Sequence, residues 1–179
     1  MSGGWISATD EDNDGGSTKL EEGFPAYAVL NIDRVGTLPY QIAVFKEGTK
    51  KRHVPYGVYF VVNGQVHGGL PADFVSRRLK FDYLTDKDNR GPLLVTVDCT
   101  AMDPQVREDF FMASRDRVRR NEDYAIIERR LADELKSHPG LQAINQQRRK
   151  KEMEKSLDED VSLSAFQRLL EADPSLSSL

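Results

Sequence analysis

The stretch from Leu93 to Leu135 constrains the fold of this chain more than any other. It begins with the apolar run Leu-Leu-Val-Thr-Val, which ends at Asp98. A run rich in β-branched residues and closed by a polar residue predicts a buried strand. A polar connection through Asp103 and Pro104 follows, and then a long amphipathic pattern that predicts a helix. The chain is therefore expected to build a sheet on which this helix packs.

The predicted helix carries one apolar stripe, and its other face is charged. The stripe has spacings of three and four residues and consists of Tyr124, Ile127, Leu131 and Leu135. We expect the helix to end at His138-Pro139-Gly140, because Gly and Pro are natural helix stops. Ser114 is placed to cap its N-terminus, since a serine hydroxyl can accept hydrogen bonds from the free N–H groups of the first turn.

Arginines follow this predicted helix start. Arg115 comes directly after Ser114, and Arg117, Arg119 and Arg120 add further positive charge. The helix dipole makes positive charge unfavourable at a helix N-terminus, so several arginines there suggest an anion or an acidic partner. The planar fork of donors on an arginine also matches the oxygens of a phosphate.

Three strands are predicted upstream, at residues 27–32, 40–45 and 56–62. Turn-forming residues separate them, and the connections are short enough for antiparallel neighbours. Strands first and helices later predict the α+β class. We expect an antiparallel sheet covered by helices on one face, followed by a helical C-terminal tail.

The third strand ends in the turn dipeptide Asn63-Gly64, and Gln-Val-His-Gly-Gly follows. Clustered glycines let backbone N–H groups approach a ligand, and Asn63, Gln65 and His67 add polar side chains. One interpretation is a loop that faces a nucleotide or a partner domain. The other is a hairpin turn that leads into a short helix at 72–78, and the absence of a phosphate-loop glycine spacing favours it.

Composition divides the chain into three parts. Residues 1–22 are rich in Gly, Ser, Asp and Glu and cannot bury enough apolar surface to offset their ordering entropy, which predicts a disordered acidic linker. Residues 23–137 are expected to form the α+β domain. Residues 138–179 are expected to form a helical extension, with one helix at 141–157 and another that begins near Ser164.

The charge of the chain gives no global attraction to nucleic acid or anionic lipid, because the net charge is -4. The basic run Arg148–Lys151 is followed by Glu152 and Glu154, so we interpret it as a solvated face; nucleic-acid contact is a less favoured alternative. No apolar run approaches the ~20 residues that cross a bilayer, so no membrane span is expected.

The cysteine and the histidines offer little catalytic chemistry. Cys99 is the single cysteine, which excludes an intrachain disulfide and suits a reducing cytoplasm. A lone cysteine at a strand end is usually a small buried hydrophobe, so a nucleophile paired with His67 is disfavoured. His53, His67 and His138 are far apart in sequence, and no metal site is predicted.

Two short motifs carry a family resemblance. Val-Asp-Cys-Thr at 97–100 and Ser-Arg-Asp at 114–116 resemble a segment of the ninety-kilodalton heat-shock chaperones, in which a Val-Asp-Ser strand end leads to a Ser-Arg-Glu helix start. Those chaperones belong to the GHKL superfamily, named for gyrase B, the chaperone, histidine kinases and MutL. The segment lies in their second domain, the transducer or middle domain with a ribosomal-S5-type fold. The layout extends over residues 24–136, and Asp116 stands where the family has Glu.

The resemblance implies a role in ATP hydrolysis. It implies that Arg115 reaches the ATP γ-phosphate, with Ser114 and Asp116 fixing the loop. The chain shows none of the superfamily's nucleotide motifs, which are an Asn-bearing helix, an Asp-x-Gly-x-Gly loop and a Gly-rich lid. Mg-ATP would therefore be bound only together with a GHKL ATP-binding domain, in the same longer chain or a separate subunit, and no ATPase activity is expected of this chain alone.

Two questions of assembly stay open at the level of the sequence. Dimerisation is compatible with the resemblance but is not required by it. The competing interpretation of the chain is a stand-alone module that binds a protein or a nucleic acid and has no catalytic role.

Overall fold

A computed structural model describes residues 20–47, 56–85, 91–111 and 121–172. The sequence-predicted site residues Ser114, Arg115 and Asp116 lie outside these ranges. The strands are β1 (Ala26–Ile32), β2 (Gly36–Val44), β3 (Gly57–Val62), β4 (Gln65–Gly69) and β5 (Leu93–Asp98). The helices are α1 (Pro104–Phe110), α2 (Glu122–Lys136) and α3 (Pro139–Ala172).

The five strands form one sheet in the order β1-β2-β5-β3-β4. All neighbouring pairs are antiparallel except β3 and β5, which run parallel. The predicted α+β fold with a mostly antiparallel sheet is confirmed. The expectation that the second and third strands are neighbours is wrong, because β5 lies between them. Leu93 to Val97 are buried on both faces of the sheet, and a strand with two buried faces belongs at the centre.

One face of the sheet packs against the helices. Ile42, Phe60 and Val95 are buried in a single core with Ile127 and Leu131 of α2. The predicted stripe of α2 is buried along its whole length, which confirms it as the face toward the sheet.

The start of α2 differs from the prediction. The helix begins at Glu122, and the Asn121 side chain caps it by accepting a hydrogen bond from the Tyr124 N–H at 2.9 Å. Ser114 is therefore not the cap of this helix. Both residue types are good caps, so their identity could not decide between the two positions.

The other face of the sheet holds a smaller apolar cluster of Leu20, Ala43, Phe45 and Leu94. Leu20 bridges Phe45 in antiparallel fashion, and the Glu21 N–H donates to the Val44 carbonyl at 2.8 Å. The last residues of the predicted linker 1–22 thus belong to the folded domain.

Helix α3 is continuous over 34 residues. The expected division into two helices, with a new start near Ser164, is wrong. Residues 158–163 read Asp-Glu-Asp-Val-Ser-Leu and contain no Gly or Pro that would end a helix. The predicted stop at residues 138–140 ends α2 and also starts α3, because Pro suits a first helical turn and His138 Nδ1 accepts from the Leu141 N–H at 3.3 Å.

The first turns of α3 are part of the core rather than of a separate extension. Leu141 and Ile144 are buried against the domain. The Asn145 side-chain oxygen accepts a hydrogen bond from the Tyr83 N–H at 3.1 Å. The sequence position predicted as the domain boundary therefore separates two helices that share one core.

The basic run at 148–151 is only partly a solvated face. The Arg148 side chain is 11% exposed, and its guanidinium donates to Glu21 Oε1 at 3.2 Å and to the Phe45 carbonyl at 2.8 Å. Lys151 Nζ lies 2.8 Å from Glu47 Oε2, and this hydrogen bond lowers the pKa of Glu47. The interpretation as a solvated face is wrong for Arg148. Beyond Lys151, no hydrogen bond or ion pair within the described ranges joins α3 to the domain.

Candidate functional site

The site begins where the central strand β5 ends. Asp98 Oδ1 accepts a hydrogen bond from the Thr100 N–H at 2.9 Å, which turns the chain away from the sheet. The Cys99 N–H still donates to the Val61 carbonyl at 2.8 Å, so the parallel pairing with β3 extends one residue past the strand. This turn therefore holds residues 98–100 beside the end of β3.

A short helix that the sequence interpretation missed follows this turn. Asp103 caps α1 by accepting from the Gln105 and Val106 N–H groups at 3.0 and 3.1 Å, and Pro104 occupies the first turn. Asp followed by Pro is a recognised helix-start signal. The sequence nevertheless predicts only a polar connection at α1, because seven residues are too few to show a periodic apolar stripe.

Helix α1 is tied to the turn in front of it. The Arg107 guanidinium donates to the Thr100 carbonyl at 2.9 Å, which joins the middle of the helix to the end of β5. Phe110 is fully buried and packs edge-to-face on Phe60, with ring centroids 5.2 Å apart. These two contacts fix the position of Phe111, the residue at which the chain leaves α1.

The segment from Asn63 to Gly69 forms a turn and an edge strand rather than an open loop. Asn63 and Gly64 both have positive φ, at 49° and 80°, as a tight two-residue hairpin turn requires. Gln65 to Gly69 pair with β3 at the edge of the sheet. The hairpin interpretation is confirmed, and the short helix predicted after it is a single π-helical turn at Phe74–Arg78.

His67 lies at an irregularity of this edge strand. Val61 pairs with Val66 and Phe60 pairs with Gly68, so His67 is the extra residue of a β-bulge. A bulge re-aims side chains and is common beside functional sites. The His67 ring packs on the ring of Phe111 at a centroid distance of 5.4 Å. The end of α1 is thereby brought to the hairpin.

The tip of the hairpin meets the other end of the same connection. The Asn63 N–H donates to Thr100 Oγ1 at 2.9 Å. The structure therefore brings Asn63 and His67 to the two ends of the segment between β5 and Phe111. Gln65 is exposed, and its side chain has no hydrogen bond within the described ranges. The side chains of Asn63 and Gln65 thus face outward and are free to meet a ligand or another domain.

Three residues of this corner were not predicted from the sequence to be site residues: Thr100, which the sequence showed only as part of the Val-Asp-Cys-Thr motif, Arg107 and Phe111. Thr100 and Arg107 act through backbone contacts between segments 37 and seven residues apart. No spacing pattern signals such contacts. Phe111 follows the core residue Phe110, and the aromatic pair was visible in the sequence without any indication that one ring would face His67.

Cys99 is a packing residue. It is fully buried, and burial raises the pKa of its thiol well above the usual range. The thiol makes one weak polar contact, to the Val97 carbonyl at 3.9 Å. Its burial confirms the prediction of a small buried hydrophobe. A buried thiol that stays protonated is also a poor nucleophile, because the thiolate is the reactive form.

Other chemistries find no support in the described ranges. There, no group of three or more His, Cys, Asp and Glu side chains is arranged to hold a metal ion. Of the helices in those ranges, none is both long enough and apolar enough to span a bilayer. No protein-family model, no curated protein and no solved structure matches this chain.

Proposed function

We propose that this chain is the transducer-type second domain of a cytoplasmic GHKL-type ATPase. Arg115 contacts the γ-phosphate of ATP, which is held with Mg by an ATP-binding domain in the same longer chain or in a separate subunit. The α+β fold, in which helices pack on one face of the sheet, agrees with this role. The chain by itself turns over no ATP.

One observation carries the proposal. The β3–β4 hairpin contacts both ends of the segment that runs from β5 to Phe111, four residues before Arg115. Asn63 contacts Thr100 at one end, and His67 contacts Phe111 at the other. The hairpin that the sequence singled out and the segment that ends at Phe111 thus belong to one corner of the molecule. Phe111 and Arg115 are four residues apart, and four residues of extended chain reach at most about 14 Å.

The residue types of the proposed site fit a phosphate ligand in different ways. Arg115 supplies a permanent positive charge and a fork of donors that matches phosphate oxygens. Ser114, Asn63, Gln65 and His67 can each donate a hydrogen bond to such oxygens. The carboxylate of Asp116 would repel them, so its role is to hold the Arg115 loop and not to bind the nucleotide.

Arg115 acts on the reaction through charge. Mg-ATP supplies the transferable phosphoryl group, and negative charge on its oxygens must be stabilised in the transition state. A guanidinium held in place beforehand stabilises that charge without reorganisation of solvent, and loss of one such donor typically lowers the rate by roughly 10² to 10³.

The test is ATP turnover by the complete ATPase, with this chain joined to or mixed with the ATP-binding domain that the proposal assigns to it. Arg115→Ala is expected to lower kcat by on the order of 10²-fold or more. Arg115→Lys is expected to recover part of the rate, because Lys keeps the charge and loses the fork. Circular dichroism should show unchanged folding.

Arg117→Ala and Arg119→Ala are the matched controls, since they remove the same charge from the same segment. Equal turnover of all three alanine variants and the parent enzyme would contradict the proposal. Tight Mg-ATP binding by this chain alone in calorimetry would contradict it as well, because the nucleotide motifs are assigned to another domain.

A second candidate function is a stand-alone interaction module. The part of α3 beyond Lys151 favours it. Six large apolar side chains are more than half exposed in this region: Met153, Leu157, Val161, Leu163, Phe166 and Leu169. Exposed apolar side chains at this density are typical of a surface that meets a partner.

A further inference from the structure

Four exposed residues of α3 form a regular pattern on one helix face. Lys150, Met153, Leu157 and Asp160 follow one another at spacings of three, four and three residues. Such spacings place side chains on a single face, as at the contact positions of a two-helix coiled coil. Met153 is 53% exposed and Leu157 is 63% exposed. The face thus has an apolar centre, a positive end and a negative end.

The pattern is self-complementary in one orientation. A two-fold axis beside residue 155, perpendicular to the helix, would place Met153 of one copy against Leu157 of the other. The same axis would place Lys150 against Asp160, and symmetry makes each contact occur twice. A parallel pair in register would instead place Lys150 on Lys150 and Asp160 on Asp160, which is repulsive. The charges therefore favour the antiparallel pair.

The neighbouring positions continue this face without a conflict. In the same alignment, Gln146 faces Ser164 and Ala143 faces Gln167. Neither contact joins like charges. Ala143 and Gln146 are exposed although Leu141 and Ile144 beside them are buried in the domain. This face of α3 is therefore open to solvent from Ala143 to Gln167.

The isolated helix also needs a partner for physical reasons. Residues 152–172 extend about 30 Å at 1.5 Å per residue. In proteins, a helix gains most of its stability from the packing of one face and not from intrinsic propensity. Within the described ranges, Lys150 and Asp160 have no ion-pair partner. Both charges are thus available to a second copy.

We propose that two copies of this chain associate through antiparallel pairing of their α3 helices, centred near residue 155. Met153 and Leu157 form the apolar contact, and Lys150 and Asp160 form two symmetry-related ion pairs. Two apolar side chains per copy make a short contact, so the dissociation constant is expected in the range of roughly 10 to 100 µM. This proposal does not depend on the proposed role in ATP hydrolysis.

Charge reversal tests the orientation directly by analytical ultracentrifugation of the full chain. Lys150→Asp alone makes two carboxylates face each other at each end of the pair, and Asp160→Lys alone makes two ammonium groups face each other there. Each variant is expected to dissociate with a constant at least about tenfold higher than that of the parent, because two attractive contacts become repulsive. Circular dichroism serves to show that folding is unchanged, since both positions are exposed.

Mixing the two variants completes the test of antiparallel pairing, which predicts a loss in each single variant and recovery in the mixture. A parallel pair in register would already be repulsive in the parent, so neither single variant would lose association relative to it. In the mixed dimer, the new carboxylate of one chain faces the new ammonium group of the other, and the unchanged Asp160 faces the unchanged Lys150. Association at the parental level is therefore expected. The double variant Lys150→Asp/Asp160→Lys should also pair with itself. Lys155→Asp and Glu159→Lys change the opposite face of the same helix and are expected to leave the dissociation constant unchanged.

Three results would each overturn the proposal. The first is a parent chain that stays monomeric to about 1 mM, well above the expected dissociation constant. The second is an equal loss of association in the Lys155→Asp and Glu159→Lys controls. The third is a mixture of the two single variants that does not associate more tightly than either variant alone.

Discussion

The corner of the sheet and the distal helix, which is the part of α3 beyond Lys151, both reach the surface, but they are held in different ways. At the corner, β5, the β3–β4 hairpin and α1 are joined by hydrogen bonds of 2.9 Å at Asn63, Thr100 and Arg107, and by the packing of His67 on Phe111. Beyond Lys151, α3 has no such contact within the described ranges. The corner is built by tertiary contacts and suits precise chemistry, whereas the distal helix has an exposed apolar surface on which the proposed second copy would pack.

Truncation of a core side chain should show most clearly that the folded domain and the distal helix contribute differently to stability. Leu131 is fully buried between α2 and the sheet, so Leu131→Ala removes packing and leaves a cavity. We expect the free energy of unfolding to fall by about 2–5 kcal/mol. Denaturant titration followed by circular dichroism measures this change.

Arg148 lies on α3 near the point where the contacts of this helix with the domain end, and its truncation should have an intermediate effect. Arg148→Ala leaves the partly buried Glu21 carboxylate and the Phe45 carbonyl without their donor. Unsatisfied groups of this kind cost about 1–3 kcal/mol. Arg149→Ala, one residue further and exposed, is the control and should be nearly neutral. An equal loss of stability in the two variants, measured by denaturant titration, would show that the folded domain includes Arg149 as well.

The smallest effect is expected for Leu169→Ala, the variant on the distal helix that matches Leu131→Ala. Leu169 is 61% exposed, so its truncation removes little buried surface, and the free energy of unfolding should change by less than about 0.5 kcal/mol. A loss as large as that of Leu131→Ala in the same titration would show that the distal helix is part of the folding unit and would remove the contrast between the regions.

The elements that could be predicted from the sequence carry local signals. Leu93–Val97 is a continuous run of leucines and β-branched residues, and its burial on both sides confirms the strand. Asn63-Gly64 specifies a hairpin turn through backbone conformation alone. The stripe from Tyr124 to Leu135 has helical spacing, and every residue of it faces the core. Each of these patterns is complete within a few residues of chain.

The remaining features depend on contacts between distant segments. Gln65–Gly69 contains glycines and polar residues that disfavour a strand, yet pairing with β3 makes it one. Arg148 belongs to a basic run that looks solvated, and only the approach of Glu21, 127 residues away, buries it. The insertion of β5 between β2 and β3 likewise follows from burial on both faces and not from connection length.

The central claim is that the hairpin tip and the segment before Arg115 form the site that meets the nucleotide-loaded ATP-binding domain. The most direct measurement is a set of amide NMR spectra of this chain as that domain is added with Mg and a non-hydrolysable ATP analogue. The account predicts that the signals of Asn63, Gln65, His67 and Thr100 shift or broaden, while those of residues 161–171 on the distal helix stay in place. Perturbation confined to α3, with the hairpin signals unchanged at saturation, would contradict it.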